Sequence, residues 1–189
     1  MAEKAAGAGL TMEQFMPLAL GPTHEDGDYP FHRLERGEIS MAECRELLDK
    51  KARDQGLPGF PSLPTWEEVA ELLVPVPEML AAADAVRRAG LRTAVVSNNI
   101  REWSGWQLLV DAENRFDTVI DSSAVGLRKP DPAIYELALE RLGGISPDRG
   151  VFLDDFEWNL GSATAMGLHT QHITDPVAGA ADLVTLLEL

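Results

Sequence analysis

Cysteine is nearly missing from this chain: Cys44 is the single one among 189 residues. An intrachain disulfide framework is therefore excluded, and the fold must rest on a buried apolar core. A chain of this length buries roughly 70% of its unfolded surface, enough to fold without a staple. Basic residues are also scarce, 16 against 31 acidic ones, leaving a formal charge of −15. That field repels phosphate backbones and anionic headgroups, so neither nucleic acid nor a membrane surface is an expected partner. Long hydrophobic runs are lacking: no stretch approaches the ~18 apolar residues of a membrane span. Met1 to Leu10 has no apolar core of the kind a secretory leader needs. One cysteine and no leader point to the reducing cytoplasm. The same ten residues hold no aspartate.

The two parts of the chain read differently. Residues 1–76 are helix-prone and punctuated by Pro and Gly. Thr11 is a cap for a helix to Leu20, closed by Gly21-Pro22. Ser40 with Glu43, and Thr65 with Glu68, form capping boxes for helices over 40–52 and 65–73. Residues 57–64, with three prolines, read as a loop. From residue 77 the pattern alternates. The spacing predicts helices over 78–89, 131–142, 157–167 and 180–187, and strands over 92–96, 116–120, 150–153 and 168–173. Pro132 sits at the first position of its helix, a favoured place for proline. Strands alternating with helices imply an α/β domain with a parallel sheet. The expected organisation is a helical cap region over 1–76 and a Rossmann-like core over 77–189.

In open parallel sheets, ligands bind beyond the carboxyl ends of the strands. Three polar groups follow predicted strands. Ser97-Asn98-Asn99 follows the first, Gly126-Leu127-Arg128-Lys129-Pro130-Asp131-Pro132 the second, and Asp154-Asp155 the third. A hydroxyl with amides, a lysine and paired carboxylates on one rim suit a phosphate and Mg²⁺. Magnesium takes one or two carboxylates with waters and substrate phosphate. Lys129 can hold phosphoryl oxygens as a point charge.

These runs, extended by Val95-Val96, by Val125 and Ala133-Ile134-Tyr135, by Val151-Phe152-Leu153 and by Asn159, resemble the haloacid dehalogenase superfamily of hydrolases. The likeness spans roughly residues 10–175 and is nearest the phosphatase-like branch that includes the N-terminal domain of soluble epoxide hydrolase. It implies a parallel Rossmann-like sheet with a cap that closes over substrate. It assigns catalytic roles to Ser97 and Lys129, and substrate binding to Ser97, Asn98, Asn99 and Lys129. Asp155 becomes the direct Mg²⁺ ligand, supported by Asp154. The implied substrate is a small phosphorylated metabolite.

The family's nucleophile, an aspartate ending a first strand, has no counterpart here. Asp26-Gly27-Asp28 follows no strand-like run and reads as a polar cap loop. The resemblance thus implies that the first central strand is missing. It also implies a shortened chain, lacking roughly ten to twenty residues ahead of Met1, and inactivity in the form given. Two alternatives remain open: a non-catalytic relic binding a phosphorylated ligand or a protein partner, and a dehalogenase-type hydrolase. Paired acids argue against the latter, which needs no metal. His32-Arg33 with Glu35-Arg36-Gly37 resembles a stretch of the cap in this branch, which leaves a substrate-facing role open, but reads first as a surface helix turn; His169 and His172 read as structural. Trp66, Trp103 and Trp106 suit either core or pocket walls.

Overall fold

A computed structural model describes residues 2–103 and 105–189. The helical part begins with α1 (Ala2–Gly7), α2 (Met12–Leu20), α3 (Pro30–Glu35), α4 (Met41–Asp54) and α5 (Trp66–Ala70). Capping boxes start α2, α4 and α5 at Thr11, Ser40 and Thr65. Each side-chain oxygen there accepts a backbone N–H that the first helical turn leaves unbonded. The apolar stripes of α2 and α4 close on one another: Phe15, Leu18, Leu34, Cys44, Leu48 and Phe60 are all buried. Phe15 and Phe60 stack at 5.3 Å between centroids. Ile100, from beyond the helical part, is buried in the same cluster. Burial pushes the Cys44 thiol up to about 12, so it is inert packing rather than a nucleophile.

The second part runs α6 (Pro77–Arg88), β1 (Ala94–Ser97), α7 (Trp106–Leu109), α8 (Ala112–Arg115), β2 (Thr118–Asp121) and α9 (Ser122–Val125). It continues through α10 (Pro132–Arg141), β3 (Val151–Asp154), α11 (Glu157–Ala165), β4 (His169–His172) and α12 (Pro176–Leu186). All strand pairing is parallel, Ala94 opposite Thr118 in β1–β2 and Val151 opposite His169 in β3–β4. The four strands form two separate two-stranded sheets. Helices cover them on two sides. Ile134, Tyr135 and Ala138 of α10 and Ala163 of α11 pack with Val96 and Phe152. Ala82 and Val86 of α6 pack with Ala180 and Leu183 of α12 over Val151 and Leu153.

β1, β2 and β3 sit one or two residues later than their sequence periods predict, so Ser97 and Asp154 end strands rather than follow them, while β4 is one residue shorter at each end. The last helix starts earlier, at Pro176, because Asp175 accepts the Val177 and Ala178 N–H groups. No helix among the described residues is long and apolar enough to cross a membrane.

Candidate active site

The rim is organised by Lys129. Asn98, just past β1, clasps its backbone like a second peptide group. The Asn98 Nδ2 donates to the Lys129 carbonyl at 2.9 Å, and the Lys129 N–H donates to Asn98 Oδ1 at 2.7 Å. The ammonium then crosses to the end of β3 and donates to Asp154 Oδ2 at 2.6 Å. It lies 5.6 Å from the centroid of the Phe152 ring. Both charges are buried, with 11% and 3% side-chain exposure. An ion pair this dry holds only if its remaining groups are also bonded. On the carboxylate side they are: Asp154 Oδ1 accepts the Phe156 N–H at 2.8 Å and Asn159 Nδ2 at 3.0 Å. Tyr135 closes the shell by donating its hydroxyl to the Asn159 carbonyl at 2.8 Å. Burial pushes the Tyr135 phenol up, with the charge of Asp154 adding to it, so the hydroxyl keeps its proton.

The other expected site residues sit around this pair. Ser97 is half-buried at the end of β1, opposite Asp121 of β2. Asn99 is buried and turned inward: its Nδ2 donates to Asp121 Oδ2 at 2.7 Å, and its N–H to Ser122 Oγ at 2.8 Å. Asp155 is exposed, and its backbone carbonyl lies 3.1 Å from His172 Nε2.

A second charged group stands beside the first, and the sequence reading missed it. His32, Glu35 and Arg36 do not form a surface turn. His32 is fully buried and Glu35 nearly so, because α3 packs against α9 and α4. Arg128 Nε donates to Glu35 Oε2 at 2.7 Å, and Arg128 Nη1 lies 3.5 Å from Asp26 Oδ1. Asp26 is further held by Arg36. Consecutive cations Arg128 and Lys129 thus take carboxylates from opposite parts of the fold, Glu35 from α3 and Asp154 from β3. Burial holds the Glu35 carboxyl above its usual range, with Arg128 opposing the shift. Burial also lowers His32, helped by Arg128. His32 is therefore neutral, donating from Nε2 to the Leu20 carbonyl at 3.0 Å while Nδ1 accepts the Gly27 N–H at 3.2 Å. Gly37 allows the two parts to meet: at φ +66° a Cβ there would strike the Ser123 carbonyl oxygen. The sequence signal was the Arg-Lys pair itself, two adjacent cations needing two counter-charges. Asp26 is committed to these ion pairs and does not lie at a strand end, in keeping with a polar loop role.

Among the described residues no three His, Cys, Asp or Glu side chains cluster as a metal site. Asp154 has both oxygens engaged by donors. Asp155, next in sequence, is exposed, so a Mg²⁺ held here would have that one protein carboxylate. Its other oxygens would come from water, a phosphate or a further carboxylate, as Mg²⁺ commonly accepts.

With this geometry in view, the comparisons with known proteins decide the family. The model of the haloacid dehalogenase-like hydrolases matches residues 12–167. The chain belongs to that family. Relatives of this chain include bifunctional epoxide hydrolase 2 of Rattus norvegicus, 31% identical over 82% of this chain and 30% of that protein. Acyl-CoA dehydrogenase family member 10 of Mus musculus is 34% identical over 84% of this chain and 15% of its own length. The chain thus spans less than a third of these two mammalian proteins. A sesquiterpene phosphatase, astK, of Aspergillus oryzae is 27% identical over 83% of this chain and 79% of its own. Among solved structures, a HAD family enzyme of Bacteroides thetaiotaomicron in complex with magnesium and inorganic phosphate superposes with a TM-score of 0.56 at 21% identity, over 77% of this chain and 74% of that one. This likeness supports the fold.

Proposed function

We propose that this HAD-like hydrolase is of the Mg²⁺-dependent phosphatase type, acting on a small phosphorylated metabolite. The observation that carries the reading is Lys129, fixed in main chain by Asn98 and in side chain by Asp154, beside the free carboxylate of Asp155. Lys129 would share its charge with phosphoryl oxygens entering the rim, and Ser97 would donate a hydroxyl to another. Asp155 would hold Mg²⁺, with Asp154 orienting the loop through the Phe156 N–H. The ion supplies positive charge that draws a phosphate toward a protein at −15. The magnesium and phosphate named for the Bacteroides neighbour, and the phosphatase activity named for the Aspergillus relative, are in keeping with this reading.

On this reading Asp155 is taken by the metal, and three other carboxylates near the rim are already engaged. Asp154 is locked to Lys129, Asp26 to Arg36, and Glu35 to Arg128. Residues 1–189 therefore bind phosphate without turning over esters unless a carboxylate is supplied from elsewhere. A dehalogenase-type role is disfavoured by Asp155, which serves no purpose in a metal-free displacement.

The test is phosphate binding followed by ³¹P NMR, with and without Mg²⁺. Wild-type protein should bind inorganic phosphate only with Mg²⁺ present, and Asp155→Asn should lose that dependence while remaining folded. Equal phosphate binding by both proteins would remove the metal-site reading.

A further inference from the structure

An aromatic pair follows the rim carboxylates and takes no part in the three apolar clusters of the described residues. Phe156 comes directly after Asp155, and Trp158 lies in the first turn of α11. Their rings stack at 4.6 Å between centroids, with 23° between planes. Phe15 and Phe60 stack as well, but both are buried in the core. Phe156 is 47% exposed and Trp158 half-buried. One face of Phe156 is covered by its partner, so the exposed area belongs to the opposite face and the edge. No third ring stacks there among the described residues.

The main chain beneath this ring is held from two sides. Asp154 Oδ1 accepts the Phe156 N–H at 2.8 Å and Asn159 Nδ2 at 3.0 Å, which pins the start of α11. His172, at the end of β4, has Nε2 at 3.1 Å from the Asp155 carbonyl. The second oxygen of Asp154 accepts from Lys129 Nζ at 2.6 Å. One carboxylate therefore sets both the cation that would take a phosphoryl group and the turn that presents Phe156. A phenylalanine left in water forgoes the gain of burial. Held on a fixed turn and against a second ring, it offers a flat face with little left to order on binding.

We propose that Phe156, supported by Trp158, selects the alcohol part of the phosphate ester, and that this alcohol is an uncharged aromatic one. A ring laid on the open face of Phe156 would continue the stack in the offset geometry that aromatic pairs prefer. Glu157, between the two rings in sequence, is exposed, so a second negative charge on the alcohol meets repulsion. A single open face with no ring opposite it stacks a flat group, whereas quaternary ammonium ligands are held in cages of several rings. The inference rests on the phosphatase reading, because the phosphoryl group is what brings the alcohol to this face.

Calorimetric titration of the chain in Mg²⁺ with inorganic phosphate, phenyl phosphate, cyclohexyl phosphate and phosphocholine tests this. Cyclohexyl phosphate has a ring of similar size without a π face. Wild-type protein should bind phenyl phosphate about fivefold more tightly than cyclohexyl phosphate, the worth of one stacked pair. Phe156→Leu, which keeps apolar bulk but no ring, should abolish that preference. Nuclear Overhauser contacts between the bound phenyl protons and the Phe156 ring should appear in wild type, a readout that needs no variant. Equal binding of phenyl and cyclohexyl phosphate, a preference unchanged in Phe156→Leu, absence of those contacts, or tightest binding of phosphocholine overturns the proposal and leaves the phosphatase reading standing. Failure of inorganic phosphate to bind with Mg²⁺ removes the phosphatase reading and this proposal with it.

Discussion

Arg128 and Lys129 show how two adjacent residues join distant parts of a fold. Each cation is buried, and each is neutralised by a carboxylate from a different element. Removing one partner of a buried pair leaves the other uncompensated, which costs about 3–5 kcal/mol. Lys129→Met should therefore lower stability by that amount in urea denaturation, because it strands Asp154. Adding Asp154→Asn should recover much of the loss, as a double-mutant cycle would show. His32 makes a different prediction. Its pKa is lowered in the folded protein from an ordinary 6.5. The folded state then binds fewer protons than the unfolded one, so stability from this group is full above pH 6.5 and falls as pH drops through the lowered value. Urea midpoints measured from pH 7 to pH 5 should decline in wild type and decline less in His32→Gln. These roles were hidden in the sequence because Glu35 and Arg128 are 93 residues apart. No local period links an acid on a short helix to a cation on a loop.

Elements differ in how much of the molecule depends on them. The boxes at Ser40 and Thr65 have the same chemistry, yet α4 buries Cys44, Leu48 and Ala52, whereas α5 is five residues long and buries none. Losing a serine cap costs about 1 kcal/mol. Ser40→Ala should lower global stability by about that much, and Thr65→Ala by far less, because α5 can fray without exposing core. Guanidinium titrations of the two variants check the contrast. Capped or strongly periodic helices, and the four strands, were legible in the sequence to within a few residues. The short helices α3, α7, α8 and α9 were not. With four to six residues each they have too few turns to show a period, and tertiary contacts hold them, as where Asp121 caps α9 while binding Asn99.

For the whole molecule, the rim residues could be read early because a parallel sheet brings strand ends together, whatever their separation in sequence. Asn98, Lys129 and Asp154 meet there through hydrogen bonds. The layer between the helices consists of two parallel strand pairs among the described residues, and Asp26, Glu35 and Asp154 are each held in ion pairs. Hydrolysis of p-nitrophenyl phosphate by residues 1–189 with Mg²⁺ tests this account most directly. The expected rate is background, unchanged by Asp26→Asn. Robust turnover that Asp26→Asn abolishes would contradict it, since the nucleophile would then lie in the loop where the structure shows only an ion-pair partner.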